Sequence, residues 1–183
     1  GSREEVTAYV LVLDSLNFGS AFLRYIQPYR GETGYFAIAT SLRDWFQVHG
    51  IPDARDLTTI RPSAMFRIFG QNPANENLAL FMHWCARALR QLGQYLESEF
   101  DGRYVALIDN MAGDTARIVN HLIKMPMFRD VALLDGREVC ILKRAQIFVH
   151  DLAIAAQGRG WFEFSGLEKL TIFADNVVPA VLE

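Results

Sequence analysis

The last third of the chain sets polar side chains able to do chemistry inside apolar sequence: Lys143, His150 and Asp175, with Phe173 next to the last. Lys143 and His150 are seven residues apart, nearly two helical turns. On a helix they project from one face roughly 10 Å apart along the axis, with Gln146 beside them. Ala145, Phe148, Val149 and Leu152 occupy the opposite side as a core stripe. Two readings fit that polar face: a solvated surface, or a site at which Lys143 meets a ligand. Arg144 and Asp151 are also seven apart, too far for a direct pair, and read as structural. Asp175 follows Leu170, Ile172, Phe173 and Ala174 and precedes Val177-Val178-Pro179. It either caps a proline-started helix or sits in an apolar pocket, where a carboxylate accepts hydrogen bonds from the N–H edge of a ligand. Near the other end, Asp14-Ser15-Leu16-Asn17-Phe18 closes an apolar helix, and Asn17 before Phe18-Gly19 is ordinary helix punctuation when taken alone.

The elements that must position these residues are mostly helical. Apolar residues at helical spacing predict helices over 4–16, 35–48, 75–100, 114–124 and 143–156, with Pro62 opening a short one through Phe69. The strongest signal is the stripe Phe81, Cys85, Leu89, Leu92 and Leu96, with Arg87, Arg90 and Gln94 opposite. Residues 17–34, with Gly19, Pro28, Gly31 and Gly34, read as loop. Val131–Leu134 and Glu138–Leu142 flank Asp135-Gly136 and predict a β-hairpin. Gly158-Arg159-Gly160 breaks the chain before a short helix at 167–173, and Pro179 starts a last one. The expected architecture is mainly α: a single helical domain over residues 3–183 with one short β-hairpin.

Composition narrows the function classes. An apolar fraction of 51% and an aromatic fraction of 12% in 183 residues are those of a packed domain. A net charge of -3 without a basic run argues against binding a nucleic-acid polymer, where clustered cations replace counterions. The longest early apolar stretch, Val6–Leu13, contains Thr7 and meets Asp14 at once, so no membrane association is expected and the protein reads as cytoplasmic. Cys85 and Cys140 both read as buried, reduced thiols. His49, His83, His121 and His150 lack metal-ligand spacing. P-loop, GxGxxG, HExxH, CxxC and GxSxG patterns are absent, so neither metal nor cofactor is expected.

Five segments carry a family pattern. These are Asp14–Phe18, the Gly34-Tyr35-Phe36 step, Phe128–Gly136 (FRDVALLDG), the KRAQ run at Lys143–Gln146, and Phe173-Ala174-Asp175 followed by Val178-Pro179. In this order, and with no gap needed between Lys143 and Asp175, the chain resembles the queuosine salvage protein family, the queuosine 5'-phosphate N-glycosylase/hydrolases. The resemblance covers most of the chain. It implies a fold like that of helix-hairpin-helix DNA glycosylases and hydrolysis of the N-glycosidic bond of queuosine 5'-monophosphate, releasing queuine for reuse in tRNA. It also implies Phe173 packing on the queuine ring and Asp175 bonding its polar edge. Lys143, Asn17, Phe18 and His150 join them as substrate-binding candidates, and Asp175 is the best carboxylate for catalysis within the chain. Family members extend before Glu4 and well past Glu183, and the main catalytic carboxylate is expected in that downstream part; the chain then reads as a fragment or a shortened homologue. Gly19-Ser20 departs from the family's longer aromatic run after Asn17-Phe18. Two alternatives remain: a non-catalytic deazaguanine- or nucleotide-binding module, and a DNA base glycosylase relative. In the first reading the partner is a small nucleotide. Its cleavage passes through an oxocarbenium-like sugar, and the leaving 7-deazaguanine has no N7 to protonate, so a donor or cation must stabilise the departing ring.

Overall fold

The computed structural model describes residues 1–171 and 173. Its helices and strands divide between two compact units, Gly1–Tyr104 and the chain from Val105 onward. The first unit holds helices α1 (Arg3–Ser15), α2 (Gly34–His49), α3 (Ala54–Leu57), α4 (Pro62–Ile68) and α5 (Glu76–Phe100). The second holds α6 (Ala106–Asp109), α7 (Thr115–Leu122), strands β1 (Val131–Leu134) and β2 (Arg137–Cys140), and α8 (Lys143–Ala156).

In the first unit α1, α3 and α4 all pack on α5. The periodic stripe explains why: Phe81, Cys85, Leu89, Leu92 and Leu96 are essentially inaccessible to water, while Arg87 and Gln94 are exposed. Burying one continuous apolar face is what holds a 25-residue helix in place. Arg90, at the edge of the stripe, donates from its guanidinium to the Ile60 carbonyl at 2.7 Å. Gly93 lets α3 approach closely: a Cβ there would lie 2.5 Å from the Ala54 carbonyl oxygen. The start of α1 is fixed by a capping box. Ser2 Oγ accepts from the Glu5 amide at 3.1 Å, and the Ser2 amide donates to the Glu5 carboxylate at 2.6 Å.

In the second unit α7 packs against α8. Asp114 caps α7 by accepting from the Arg117 amide at 2.9 Å. The hairpin is antiparallel with Val131 opposite Cys140 and Leu134 opposite Arg137. Its two-residue turn has Asp135 at φ 51° and Gly136 at φ 75°, the left-handed pair of a type I′ connection, which the Asp-Gly sequence favours.

Three expectations need correction. The stretch read as loop contains a 3₁₀ helix at Ser20–Tyr25, held by the aromatic contacts of Phe22. The helix expected over 167–173 is confined to a 3₁₀ turn at Leu167–Lys169, because Leu170 turns extended and Thr171 bonds to α8 instead of to its own backbone. Cys140 is exposed, not buried: every residue of both strands is open to water. Cys85 is buried as expected. Among the described residues no helix is long and apolar enough to cross a membrane.

Candidate functional site

The hairpin register brings the residues before β1 against the start of α8. Once Val131 faces Cys140, Asp130 meets Ile141 and Leu142, and its carbonyl accepts from both their amides at 2.9 and 3.1 Å. The Asp130 carboxylate then accepts from the Arg144 amide at 3.3 Å and from the Arg144 guanidinium at 2.9 Å. Asp130 thus serves as a cap for α8 from fourteen residues away, supplying an acceptor where Leu142 has none. Leu142 itself sits at φ 51°, a left-handed conformation that costs a branched residue about 1–2 kcal/mol. The surrounding bonds hold it there, immediately before Lys143.

Arg144 points inward. Its side chain is 8% exposed, and its guanidinium lies over the Phe128 ring at 5.7 Å from the centroid. Burial pulls its pKa below the ordinary arginine value, and the neighbouring Asp130 charge and hydrogen bond push the other way. Lys143, the first residue of α8, is half-buried.

Gln146, read from sequence as part of the Lys143–His150 face, is also buried. Its Oε1 accepts from the Thr171 amide at 2.8 Å and from the Thr171 hydroxyl at 3.1 Å, and its Nε2 donates to the Ile141 carbonyl at 3.1 Å. One turn later His150 meets the Phe173 ring edge-on at 5.3 Å and forms a 3.1 Å contact from Nδ1 to the Asp151 carboxylate. The Lys143 helix and the Phe173 segment are therefore side by side, and the polar face of α8 is covered at Gln146 rather than simply solvated. Asp175 lies outside the described residues.

Asn17 and Phe18 belong to the first unit, where both are half-buried just past α1. Phe18 meets Phe81 edge-on at 5.8 Å, Phe22 stacks on Phe81 at 5.5 Å, and Trp84 closes on Phe22 at 5.5 Å. The 3₁₀ turn after Gly19 thus sets Phe22 between Phe81 and Trp84. Asp14, three residues before Asn17, is fully buried. Near it, burial raises the Tyr9 hydroxyl pKa; the Arg43 charge opposes this and the Asp14 and Asp44 charges add to it.

Two clefts in the first unit are lined by none of the sequence-selected residues. One, of about 460 Å³, is acidic, with Glu4, Asp53, Glu97 and Asp101 around Arg55. The other, of about 430 Å³, has Trp45, His49 and Arg67 in its wall. Among the described residues no three His, Cys, Asp or Glu side chains converge as a metal site would require.

Sequence reasoning missed the roles of Asp130, Gln146 and Thr171. The signal for Asp130 was present: a two-residue hairpin turn fixes which residues flank its open end. Helix periodicity put Gln146 on the face that meets Thr171 but could not show its burial, because a buried polar residue looks like a surface one until its hydrogen-bond partners are known.

Comparison with known proteins agrees with the motifs. The family model described as queuosine salvage protein matches residues 1–183. A Sphaerobacter thermophilus relative named queuosine 5'-phosphate N-glycosylase/hydrolase is 37% identical over 188 residues, covering 98% of this chain and 56% of the relative. Relatives of the same name from Dictyostelium discoideum and Mus musculus are 34% and 27% identical, covering 98% and 100% of this chain and 53% and 56% of their own lengths. The chain spans about half the length of the curated relatives it matches. With a match from the first residue to the last, the chain belongs to the queuosine salvage protein family.

Proposed function

We propose that this chain hydrolyses the N-glycosidic bond of queuosine 5'-monophosphate and releases queuine. The observation that most supports this reading is the seating of Phe173 beside His150 on the helix that begins with Lys143. It places an aromatic face, a half-buried cation and an imidazole on neighbouring elements of one unit. In the proposed roles Phe173 packs on the deazaguanine ring and Asp175 accepts from its N–H edge. Lys143 binds the 5'-phosphate or stabilises negative charge on the leaving base. His150 orients Phe173 and lines the same face. Asp175 is the carboxylate within this chain proposed to stabilise the oxocarbenium-like sugar. The helix-rich framework is read as a relative of helix-hairpin-helix glycosylases, working in the cytoplasm on a free nucleotide.

Incubating the protein with queuosine 5'-monophosphate and separating the products by chromatography tests the proposal. Free queuine and ribose 5-phosphate are the expected products; intact nucleotide at high enzyme concentration would overturn hydrolysis by this chain. The alternative is a module that binds the base without cleaving it. Queuine binding without turnover is the result that would select it.

A further inference from the structure

We propose that Gln146 is a positioning residue that holds the chain leading to Phe173 in register with α8, so that the Phe173 ring is presented to the base. This rests on the reading of Phe173 as a queuine contact. Thr171 meets Gln146 and Phe173 meets His150, so a step of two residues on one chain matches a step of four on the helix. Two residues of chain reach about 6.6 Å when extended, and four residues of helix rise about 6 Å. The two spacings agree, and the pairings run in the same direction along both segments.

Gln146 suits this task because its amide has two ends. The Oε1 end takes both Thr171 donors, and the Nε2 end donates to the Ile141 carbonyl, just before the first turn of α8. The amide therefore ties the incoming segment to the same turn that presents Lys143. A buried amide satisfied at both ends resists rotation, since turning it over would set its NH₂ group against the Thr171 amide. Gln146 need not touch the ligand, and its effect passes through Thr171 and Phe173.

The test compares Gln146→Leu with Gln146→Glu. Leucine keeps the approximate volume and loses both functions; glutamate, in either protonation state, keeps an oxygen that accepts from Thr171. Hydrogen exchange at the Thr171 amide is read by NMR, together with the cross-relaxation contact between the Phe173 and His150 rings. Gln146→Leu is expected to speed exchange about tenfold, the size of one lost intramolecular hydrogen bond, and to weaken the ring contact. Gln146→Glu keeps the acceptor for Thr171 but gives up the donor to Ile141 when ionised, so its exchange is expected to lie between the wild type and Gln146→Leu. Queuine affinity should follow the same order, weakened most by Gln146→Leu. Should Gln146→Leu fail to fold, Thr171→Val removes one of the two donors at an exposed position and should give an intermediate exchange rate.

Unchanged Thr171 exchange in Gln146→Leu, or equal loss in both variants, would overturn the proposal. So would altered exchange with unaltered queuine affinity. A wild type that binds no queuine defeats the ligand assignment itself, while Thr171 exchange still decides whether Gln146 sets the register of Phe173.

Discussion

Replacing Asp130 with asparagine removes one charge and keeps the shape, which isolates what the Asp130–Arg144 pair contributes to the start of α8. Removing one partner of a fully buried ion pair costs about 3–5 kcal/mol, because the other charge stays behind. Two features lower that figure here. The Asp130 side chain is 25% exposed, so water screens part of the interaction, and the Arg144 guanidinium keeps its place over Phe128. The asparagine oxygen can still accept from the Arg144 amide, as Asp130 does at 3.3 Å. A loss of about 2 kcal/mol follows, which lowers the melting temperature of a chain this long by roughly 4–8 °C. Circular dichroism melts of the wild type, Asp130→Asn, Arg144→Met and the double variant would measure it. The double variant should be less destabilised than the sum of the singles by about 1 kcal/mol or more, because it leaves no unpaired buried charge. Strict additivity, or an Asp130→Asn melt within a degree of the wild type, would refute the reasoning.

Three other outcomes follow from the same structure. Gly93→Ala gains about 1 kcal/mol of helix propensity, but its methyl would lie 2.5 Å from the Ala54 carbonyl oxygen and 2.9 Å from the Thr58 amide nitrogen. The strain exceeds the gain, so a net loss of about 2 kcal/mol is expected; a raised denaturation midpoint would show that α3 simply moves aside. Under native conditions a thiol reagent should label Cys140 on the open hairpin and spare Cys85, whose thiol is buried and whose pKa burial pushes up. Mass spectrometry showing no label, or two, would contradict that. Lys143→Ala should leave the melting temperature within a few degrees and weaken queuosine 5'-monophosphate binding roughly tenfold, which titration calorimetry reads directly.

How much of this was legible in the sequence varied by element. The α5 stripe and the α8 boundaries could be read because burial of one helix face leaves a period of about 3.6, and the Asp-Gly turn because few residue pairs accept two left-handed conformations. The hairpin's exposure could not be read: Val131, Leu133, Leu134 and Val139 look like core residues, yet all four are exposed. Apolar content identifies a strand but not what, if anything, covers it. The short helices α3 and α6 escaped because four residues contain too little period to detect, and both are placed by the packing around them. At the candidate site, helical spacing set Lys143 and His150 on one face of α8, and Phe173 was singled out by the family resemblance alone. The bonds that arrange them, from Asp130 to Arg144 and from Gln146 to Thr171, are long-range pairings that no local pattern encodes.

The central claim is that Phe173, seated beside His150, forms part of the queuine site. Titration calorimetry of queuine into the wild type and Phe173→Ala tests it most directly. Loss of one aromatic stacking surface should weaken binding by about 1–3 kcal/mol, roughly 5- to 150-fold, with an unchanged melting temperature. Equal queuine affinity in the two proteins would contradict the account.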